Sequence, residues 1–277
     1  MSIRVCVAGV TGWTGSAIAR AILASDDFEL AGAVARSAAG RTVADALDVA
    51  DDDAASVTVT ASVSEALATA TDVMIDYTHP TAVLSNVRTA IDAGTHVVVG
   101  TSGLSADEYE EIDRAARARP CGVVAAGNFS ITAALLKHFA GIAARHIPHW
   151  EIVDLAHAGK PDAPSGTARE LAEYLGGVAR NEVAVPTGEI LGTPETRGAT
   201  IGGAQVHSIR LPGYVIGVEA LFGLPDERLT IRHDAGAGAT PYVAGTLLAA
   251  ARAPDITGLV RGLDALLFDR ATANGET

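Results

Sequence analysis

The sequence predicts an α/β protein in which an N-terminal Rossmann-type sheet, doubly wound and parallel, is followed by a second α/β domain with a mixed or antiparallel sheet. Three observations support this fold class. Strand and helix patterns alternate through the first half of the chain, a glycine-rich loop directly follows the first strand, and consecutive strand patterns with short turns begin at residue 199. Strands that alternate with helices pack as parallel sheets through right-handed crossovers, whereas strands joined by short turns pair antiparallel.

The first half contains six strand patterns with helix patterns between most of them. The strands are predicted at residues 3–8, 28–35, 57–60, 73–77, 96–100 and 122–126. The helices are predicted at 16–24, 64–70, 81–93 and 106–119, and Gly94 and Pro120 end the last two. The acidic run at 51–53 is predicted to be a solvated loop.

The second half changes pattern. A helix is predicted at 131–145, a strand at 150–156 and a helix at 166–175. Three β-type stretches follow at 199–211, 215–224 and 228–233, and a final helix is predicted at 243–253. We therefore expect residues 1–127 with 239–277 to form the first domain and residues 128–238 the second.

The composition argues against several classes of protein. Of 277 residues, 48% are apolar and 19% charged, so the chain can bury a core and is not disordered. Lysine and arginine total 20 against 33 acidic residues, and the net charge of −13 argues against nucleic acid or an anionic membrane as a partner. No apolar run approaches the roughly 18 residues of a membrane span, and no secretory signal is apparent. Cys6 and Cys121 lack zinc-site spacing, so we expect reduced thiols, no metal and a cytoplasmic location.

The loop at 9–15 has the spacing G-x-x-G-x-x-G between the first strand and the first helix. Gly9 allows a tight turn, Gly12 allows backbone amides to approach a pyrophosphate, and Gly15 allows the helix to pack closely on the strand. The positive end of the helix dipole then holds the anion. We expect dinucleotide contacts from Gly9, Thr11, Gly12, Trp13, Thr14 and Gly15.

The end of the second strand indicates which dinucleotide is used. An acidic residue there would bind the ribose 2′-hydroxyl of NAD, but this chain offers Arg36 instead. A guanidinium can bind a 2′-phosphate through paired hydrogen bonds. We therefore predict NADPH as the preferred cofactor, with NADH as a second possibility; the alternative is that Arg36 is a solvated loop residue.

The segment 160–168 reads K-P-D-A-P-S-G-T-A, and Lys160 is one of only two lysines, with Lys137. Ser165 is a good N-cap, so the amides of Gly166, Thr167 and Ala168 should point out of the start of a helix. Together with the Lys160 ammonium they would form a carboxylate or phosphate site, here called the anion nest. An ordinary capped helix with a surface lysine is the alternative.

Several motifs resemble those of the dihydrodipicolinate reductase family of the lysine pathway. The segment 160–168 is similar to the family signature, and D-Y-T-H-P at 76–80, G-T-S-G at 100–103 and N-F-S at 128–130 resemble further motifs in the family's order. The resemblance spans nearly the whole chain. It implies a Rossmann domain that binds NAD(P)H, a second domain that binds a small carboxylate substrate, and a homotetramer built through the second-domain sheets.

The resemblance also implies residue roles. Substrate carboxylates would bind Lys160, Ser165, Gly166 and Thr167. Further cofactor contacts would come from Tyr77, Thr78, Gly100, Thr101, Ser102, Ala126, Asn128 and Phe129. For catalysis we expect Lys160 to polarise the substrate and His157 or an ordered water to supply the proton, although a histidine at the end of a strand can equally be structural.

The chain departs from the family pattern beside the lysine. The family reads E-A-H-H-x-x-K, whereas residues 154–160 read D-L-A-H-A-G-K, so Ala156 replaces the histidine to which the resemblance assigns proton delivery. Trp13 replaces a cofactor-facing arginine. Two activities therefore stay open: reduction of dihydrodipicolinate to tetrahydrodipicolinate, or reduction of another carboxylated cyclic imine or conjugated unsaturated acid. A cofactor-binding sensor with little catalysis is a third possibility, which the retained anion nest disfavours.

Overall fold

A computed structural model describes residues 2–50 and 55–268, and the acidic run at 51–53 lies outside them. The chain divides into two compact units. The first contains the residues up to Ile131 and those from Ala239 onward, and the second contains Thr132–Gly238. Among the described residues, none of the helices combines the length and hydropathy that crossing a bilayer requires.

The first unit is built on a seven-stranded sheet. Its strands are β1 (Ile3–Ala8), β2 (Phe28–Val34), β3 (Val59–Thr60), β4 (Val73–Asp76), β5 (His96–Val99), β6 (Gly122–Ala125) and β12 (Gly258–Arg261). Their order is β12-β6-β5-β4-β1-β2-β3, and every pairing is parallel. Val73, Met74 and Ile75 are all fully buried, because helices cover both faces of such a sheet. The predicted Rossmann-type sheet is confirmed.

Helices connect the strands of the first unit. They are α1 (Trp13–Leu23), α2 (Val43–Leu47), α3 (Val63–Ala66), α4 (Pro80–Asp92), α5 (Ala106–Ala118), α8 (Thr240–Arg252) and α9 (Leu263–Phe268). Several of these helices begin at a residue whose side chain caps the first turn. In α5, for example, Ser105 accepts a hydrogen bond from the Glu108 amide while the Glu108 side chain accepts one from the Ser105 amide, a complete capping box.

The second unit packs two helices on one face of a five-stranded sheet. Its elements are α6 (Ile131–Ala144), β7 (His149–Ala156), α7 (Gly166–Val178), β8 (Ala199–Ile201), β9 (Ala204–Arg210), β10 (Ile216–Leu224) and β11 (Glu227–Ala235). The order is β11-β10-β7-β9-β8, with β7 and β9 parallel and the other pairs antiparallel. The sheet is therefore mixed, as the sequence predicts. Trp150, Ile152 and Phe222 form its core with residues of α6 and α7.

Two predictions differ from the structure, and one short helix was not predicted. The stretch 199–211 is not one strand but the hairpin of β8 and β9, because Gly202 and Gly203 both adopt positive φ and form its turn. The helix predicted at 243–253 is not the last element, since β12 extends the first sheet and α9 follows it. The short helix α2 was not predicted; Thr42 starts it by accepting a hydrogen bond from the Asp45 amide.

Candidate active site

All of the predicted cofactor residues lie at one edge of the first sheet. They follow the carboxyl ends of β1, β2, β4, β5 and β6, which a parallel sheet brings to the same side. In the sheet, β2 and β3 lie on one side of β1, and β4, β5 and β6 lie on the other side. Ligands of such sheets bind at this topological switch point, between β1 and β4.

The glycine loop packs against the backbone that follows β4. Gly9 has φ of +87°, and a Cβ there would lie 2.2 Å from the carbonyl oxygen of Tyr77. A Cβ on Gly15 would lie 2.1 Å from the carbonyl oxygen of Gly9. These contacts are too short for any side chain. Gly9 is therefore required by the close approach of the loop to the Tyr77 backbone, and Gly15 by the packing of α1 on the loop.

The start of α1 is shaped for an anion. Gly12 is its N-cap, and no side chain of the described residues caps the first turn. The leading amides of this 11-residue helix therefore face outward at the positive end of its dipole. Thr11 and Trp13 are exposed, and Thr14 is half-buried. These residues fit the pyrophosphate of a dinucleotide.

Asp76, the last residue of β4, fixes two of the neighbouring loops. Its carboxylate is fully buried and accepts hydrogen bonds from the Thr78 amide at 3.0 Å, the Thr78 hydroxyl at 2.8 Å and the Thr101 hydroxyl at 2.6 Å. Asn86 of α4 donates to its other oxygen at 2.8 Å. The side chains of Thr78 and Thr101 are thus part of the scaffold. Sequence reasoning did not identify Asp76 or Asn86 as part of the site, although an aspartate at the end of an apolar strand is a usable signal.

The rings of Tyr77 and Phe129 pack against each other, and the Tyr77 ring packs against the loop that begins at Gly100. The Tyr77 ring packs on Gly100, where a Cβ would lie 2.1 Å from its Cζ, and meets the Phe129 ring edge-on at 6.3 Å. The Tyr77 hydroxyl is 2.8 Å from the hydroxyl of Thr246 in α8. Burial raises the pKa of Tyr77 well above its usual value, so the phenol stays neutral.

The remaining predicted cofactor residues are more open. Ser102 is exposed, and Ala126 and Asn128 are half-buried. Asn128 accepts a hydrogen bond from the Ser130 amide at 2.8 Å through its side-chain oxygen. Trp13 is 59% exposed and meets Tyr242 of α8 edge-on, with 5.7 Å between ring centroids.

Arg36 lies just beyond β2, in an exposed turn beside the glycine loop. The carbonyl oxygen of Val34, two residues earlier, accepts hydrogen bonds from the amides of Gly9 at 2.9 Å and Val10 at 3.1 Å. The strand end that carries Arg36 is therefore tied to the loop that would hold the pyrophosphate.

The segment predicted to form the anion nest lies at the start of α7 in the second unit. Ser165 is the N-cap, but its hydroxyl accepts the Ala168 amide at 3.3 Å, so Ala168 does not offer its amide as predicted. Gly166 is exposed, and a Cβ there would meet nothing within 4 Å. This glycine is therefore not required by packing, and it leaves open space above the helix start. The Lys160 ammonium is 2.8 Å from the Asp162 carboxylate and lowers its pKa.

The two residues before the nest differ in exposure. Ala156 is fully buried at the end of β7, where it pairs with Ile216 and Arg210. His157 is exposed, its amide donates to the Val215 carbonyl oxygen at 3.2 Å, and its carbonyl oxygen accepts the Lys160 amide at 3.1 Å. The turn that presents Lys160 is thus held by the backbone of His157. Within residues 2–50 and 55–268, no group of three His, Cys, Asp or Glu residues is close enough to hold a metal ion.

A parallel sheet with a glycine loop at its switch point, together with a mixed-sheet unit that carries a lysine-headed anion nest, defines a two-domain, dinucleotide-dependent oxidoreductase. Two family models match this chain. The dihydrodipicolinate reductase N-terminus model matches residues 3–129, and the C-terminus model matches residues 131–267. The chain belongs to the dihydrodipicolinate reductase family, whose members are NAD(P)H-dependent oxidoreductases.

Curated relatives agree with this assignment. The 4-hydroxy-tetrahydrodipicolinate reductase of Desulfitobacterium hafniense is 37% identical over 265 residues, covering 96% of this chain and 98% of the relative. The enzyme of the same name from Mycolicibacterium smegmatis is 39% identical over 236 residues, covering 84% and 96%. The predictions of the family and of a reductase of this type are confirmed.

Solved structures show the same architecture. A dipicolinate-bound dihydrodipicolinate reductase from Paenisporosarcina sp. TG-14 superposes with a TM-score of 0.85 at 27% identity, covering 96% of this chain and 100% of that one. An amine dehydrogenase from Mycobacterium smegmatis superposes with a TM-score of 0.65 at 16% identity, covering 95% and 96%, which shows a shared fold.

Replacing Gly15 tests the close approach of α1 to the glycine loop. In Gly15→Ala the new Cβ must displace the Gly9 carbonyl, so we expect a destabilisation of about 1–3 kcal/mol and NADPH binding weakened about tenfold or more. Gly177→Ala is the matched control, since a Cβ there meets nothing within 4 Å. Fluorescence titration with NADPH measures the affinity, and equal affinities for the two variants would contradict the assignment.

Proposed function

We propose that this chain catalyses the NAD(P)H-dependent reduction after which its relatives are named, that of 4-hydroxy-tetrahydrodipicolinate or the dihydrodipicolinate derived from it. The observation that carries the proposal is the anion nest, in which open space above Gly166 is combined with the Lys160 ammonium. The Paenisporosarcina relative binds dipicolinate, a planar dicarboxylate, and this supports a carboxylate ligand here. No observation favours a different imine substrate or a sensor role.

Lys160 and the start of α7 would bind one substrate carboxylate. The ammonium pairs with Asp162 at 2.8 Å, so it is already oriented within this loop. A substrate carboxylate would meet the Lys160 ammonium together with Ser165, Gly166 and Thr167. A compact ammonium beside the carboxylate also draws electron density from an adjacent imine or conjugated double bond, which favours hydride addition there.

The first unit would hold the cofactor. The bound nicotinamide supplies the hydride. The glycine loop and the α1 amides would bind the pyrophosphate, and the backbone of Gly100, Ser102 and Ala126, with Asn128, would line the nicotinamide and its ribose. Tyr77 and Phe129 would support this surface from beneath, and Thr78 and Thr101 would hold its loops through Asp76.

Reduction also requires a proton, and we assign its delivery to His157. Ala156 carries no proton, and it is buried. His157 is exposed, three residues before Lys160, in a turn that its own carbonyl closes. An imidazole is the side chain best suited to exchange protons with solvent near neutral pH.

NADPH is the proposed cofactor in preference to NADH. The support is that Arg36 follows β2 in an exposed turn, next to the strand end that binds the glycine loop. A guanidinium there would pair with a 2′-phosphate.

The assembly and location follow from the same assignment. We propose that residues 1–127 with 239–277 are the dinucleotide-binding domain and that residues 128–238 bind substrate and form a homotetramer. Large apolar side chains exposed around the second sheet support an interface; they are Ile209, Leu211, Tyr214, Val215, Leu224 and Leu229. A cytoplasmic location is supported by Cys6 and Cys121, which are free thiols.

The two lysines provide a matched test of the substrate site. Lys160→Ala removes the ammonium of the anion nest, so kcat/KM should fall about 10- to 150-fold, as expected for the loss of one charge-assisted contact of about 1.5–3 kcal/mol. NADPH affinity should stay within about twofold. Lys137→Ala removes an ion pair with Glu170 and a cation–π contact with Tyr174, both outside the anion nest, and should leave kcat/KM unchanged. Parallel loss of activity and NADPH affinity in Lys160→Ala would place this lysine in the cofactor site instead.

Arg36→Ala tests the cofactor preference. We expect kcat/KM with NADPH to fall about tenfold or more while kcat/KM with NADH changes little, because only NADPH carries the 2′-phosphate. Arg41→Ala is the control, since the Arg41 guanidinium donates to the Asp45 carbonyl oxygen. A wild type that prefers NADH tenfold would refute the role of Arg36.

Light scattering tests the assembly. The wild type should have a mass about four times the 28.2 kDa of one chain. Leu229→Glu places a charge among the exposed apolar residues around the second sheet and should lower that mass. A wild type that is monomeric at micromolar concentration would contradict the tetramer.

A further inference from the structure

An ion pair between the fully buried Asp154 and the partly buried Arg210 contacts the loop that carries Lys160, and the proposed mechanism does not use it. Asp154 of β7 is fully buried, and its Oδ2 accepts hydrogen bonds from the Ser165 amide at 2.9 Å, the Ser208 hydroxyl at 3.1 Å and the Arg210 guanidinium at 2.7 Å. Burial alone would raise the pKa of this carboxyl, but hydrogen bonds from Ser165 and Arg210 hold it below its usual value. Asp154 is therefore an ionised group inside the unit.

Arg210 connects this carboxylate to the loop. The same Nη2 that binds Asp154 also donates to the Asp162 carbonyl oxygen at 2.7 Å, and Nη1 donates to the Asp154 carbonyl oxygen at 3.4 Å. The loop from His157 to Ser165 is thus held at two points, at Asp162 by Arg210 and at Ser165 by Asp154. Lys160 lies between the strand end and these points.

Stability alone does not account for the pair. Replacing a buried ion pair with apolar residues of similar size is often neutral or stabilising, because burial removes both charges from water. Here the cost is increased, since Asp154 Oδ1 and Arg210 Nε are buried and have no hydrogen-bond partner in the described part of the chain. The pair instead fixes the position of the loop, because one planar guanidinium binds both the Asp154 carboxylate and the Asp162 carbonyl oxygen.

We propose that Asp154 and Arg210 are positioning residues for substrate binding, which hold the Lys160 ammonium and the Gly166 amide at the separation that one substrate carboxylate spans. The inference rests on the proposed function of the nest. Neither residue contacts the substrate; they act through Asp162 and Ser165. Loss of either should misplace the lysine relative to the start of α7, and small displacements of this kind cost much of a binding interaction.

Arg210→Lys is the sharpest test, because it keeps the charge but cannot hold Asp154 and Asp162 together. We expect the Kd for dipicolinate, measured by calorimetry, and the KM for substrate to rise about tenfold or more, with the Kd for NADPH unchanged. Arg117→Lys is the matched control, since it makes the same change at an arginine paired with Asp113 in the first unit. Ser208→Ala removes one donor to Asp154 and serves if Arg210→Lys does not fold; it should raise the dipicolinate Kd severalfold.

The outcomes separate this inference from the proposed function. If the variants lower the melting temperature but leave the dipicolinate Kd and the substrate KM at wild-type values, the pair is only structural and the inference is wrong. If wild-type protein does not bind dipicolinate, or binds it no more tightly than Lys160→Ala does, the proposed function is wrong. The inference is then wrong as well. Weakened dipicolinate binding in Arg210→Lys, with wild-type binding in Arg117→Lys, supports the positioning role.

Discussion

Two carboxylates with no exposed surface, Asp76 and Asp154, constrain both units of this chain. A carboxyl group can be buried without large cost only where hydrogen-bond partners replace the water it loses. In each unit those donors come from the loops that follow the strands, among them Thr78 and Thr101 for Asp76, and Ser165 for Asp154. The loops proposed to contact ligands are therefore held by the hydrogen bonds of two buried carboxyl groups.

This arrangement separates the residues that build the site from those left open for chemistry. The hydroxyls of Thr78 and Thr101 donate hydrogen bonds to Asp76, whereas Ser102 is exposed. The glycines divide in the same way. Gly15 has no room for a side chain because α1 packs on the glycine loop there, while Gly166 has open space around it. A site with loops fixed in advance loses less conformational entropy when a ligand binds.

Much of the fold follows from local patterns. The alternation of strands and helices and the glycine loop predict the parallel sheet, because each βα unit carries its own signals. The short elements β12 and α9 escape prediction, since four to six residues give little periodicity and their burial depends on neighbours distant in sequence. The turn at Gly202 and Gly203 was missed as well, although a glycine pair is a recognised hairpin signal.

In the candidate site, too, the residues that are adjacent in sequence were predicted, and those that are distant in sequence were not. The glycine loop and the segment 160–168 can be predicted because the residues of each motif are adjacent in sequence. Their supports are not, since Arg210 lies 56 residues from Asp154, and Thr101 lies 25 from Asp76. Only the pairing of β7 with β9 and of β4 with β5 brings such residues together. Each of these pairings joins strands that are separated in the chain by other elements, so no local motif predicts which residues meet.

The most direct measurement is the rate of NADPH oxidation by the purified chain with 4-hydroxy-tetrahydrodipicolinate supplied by its synthase. The proposed function predicts turnover on the order of 10 per second, inhibited competitively by dipicolinate against the substrate. NADPH that binds normally but is not oxidised when the substrate is added would contradict it.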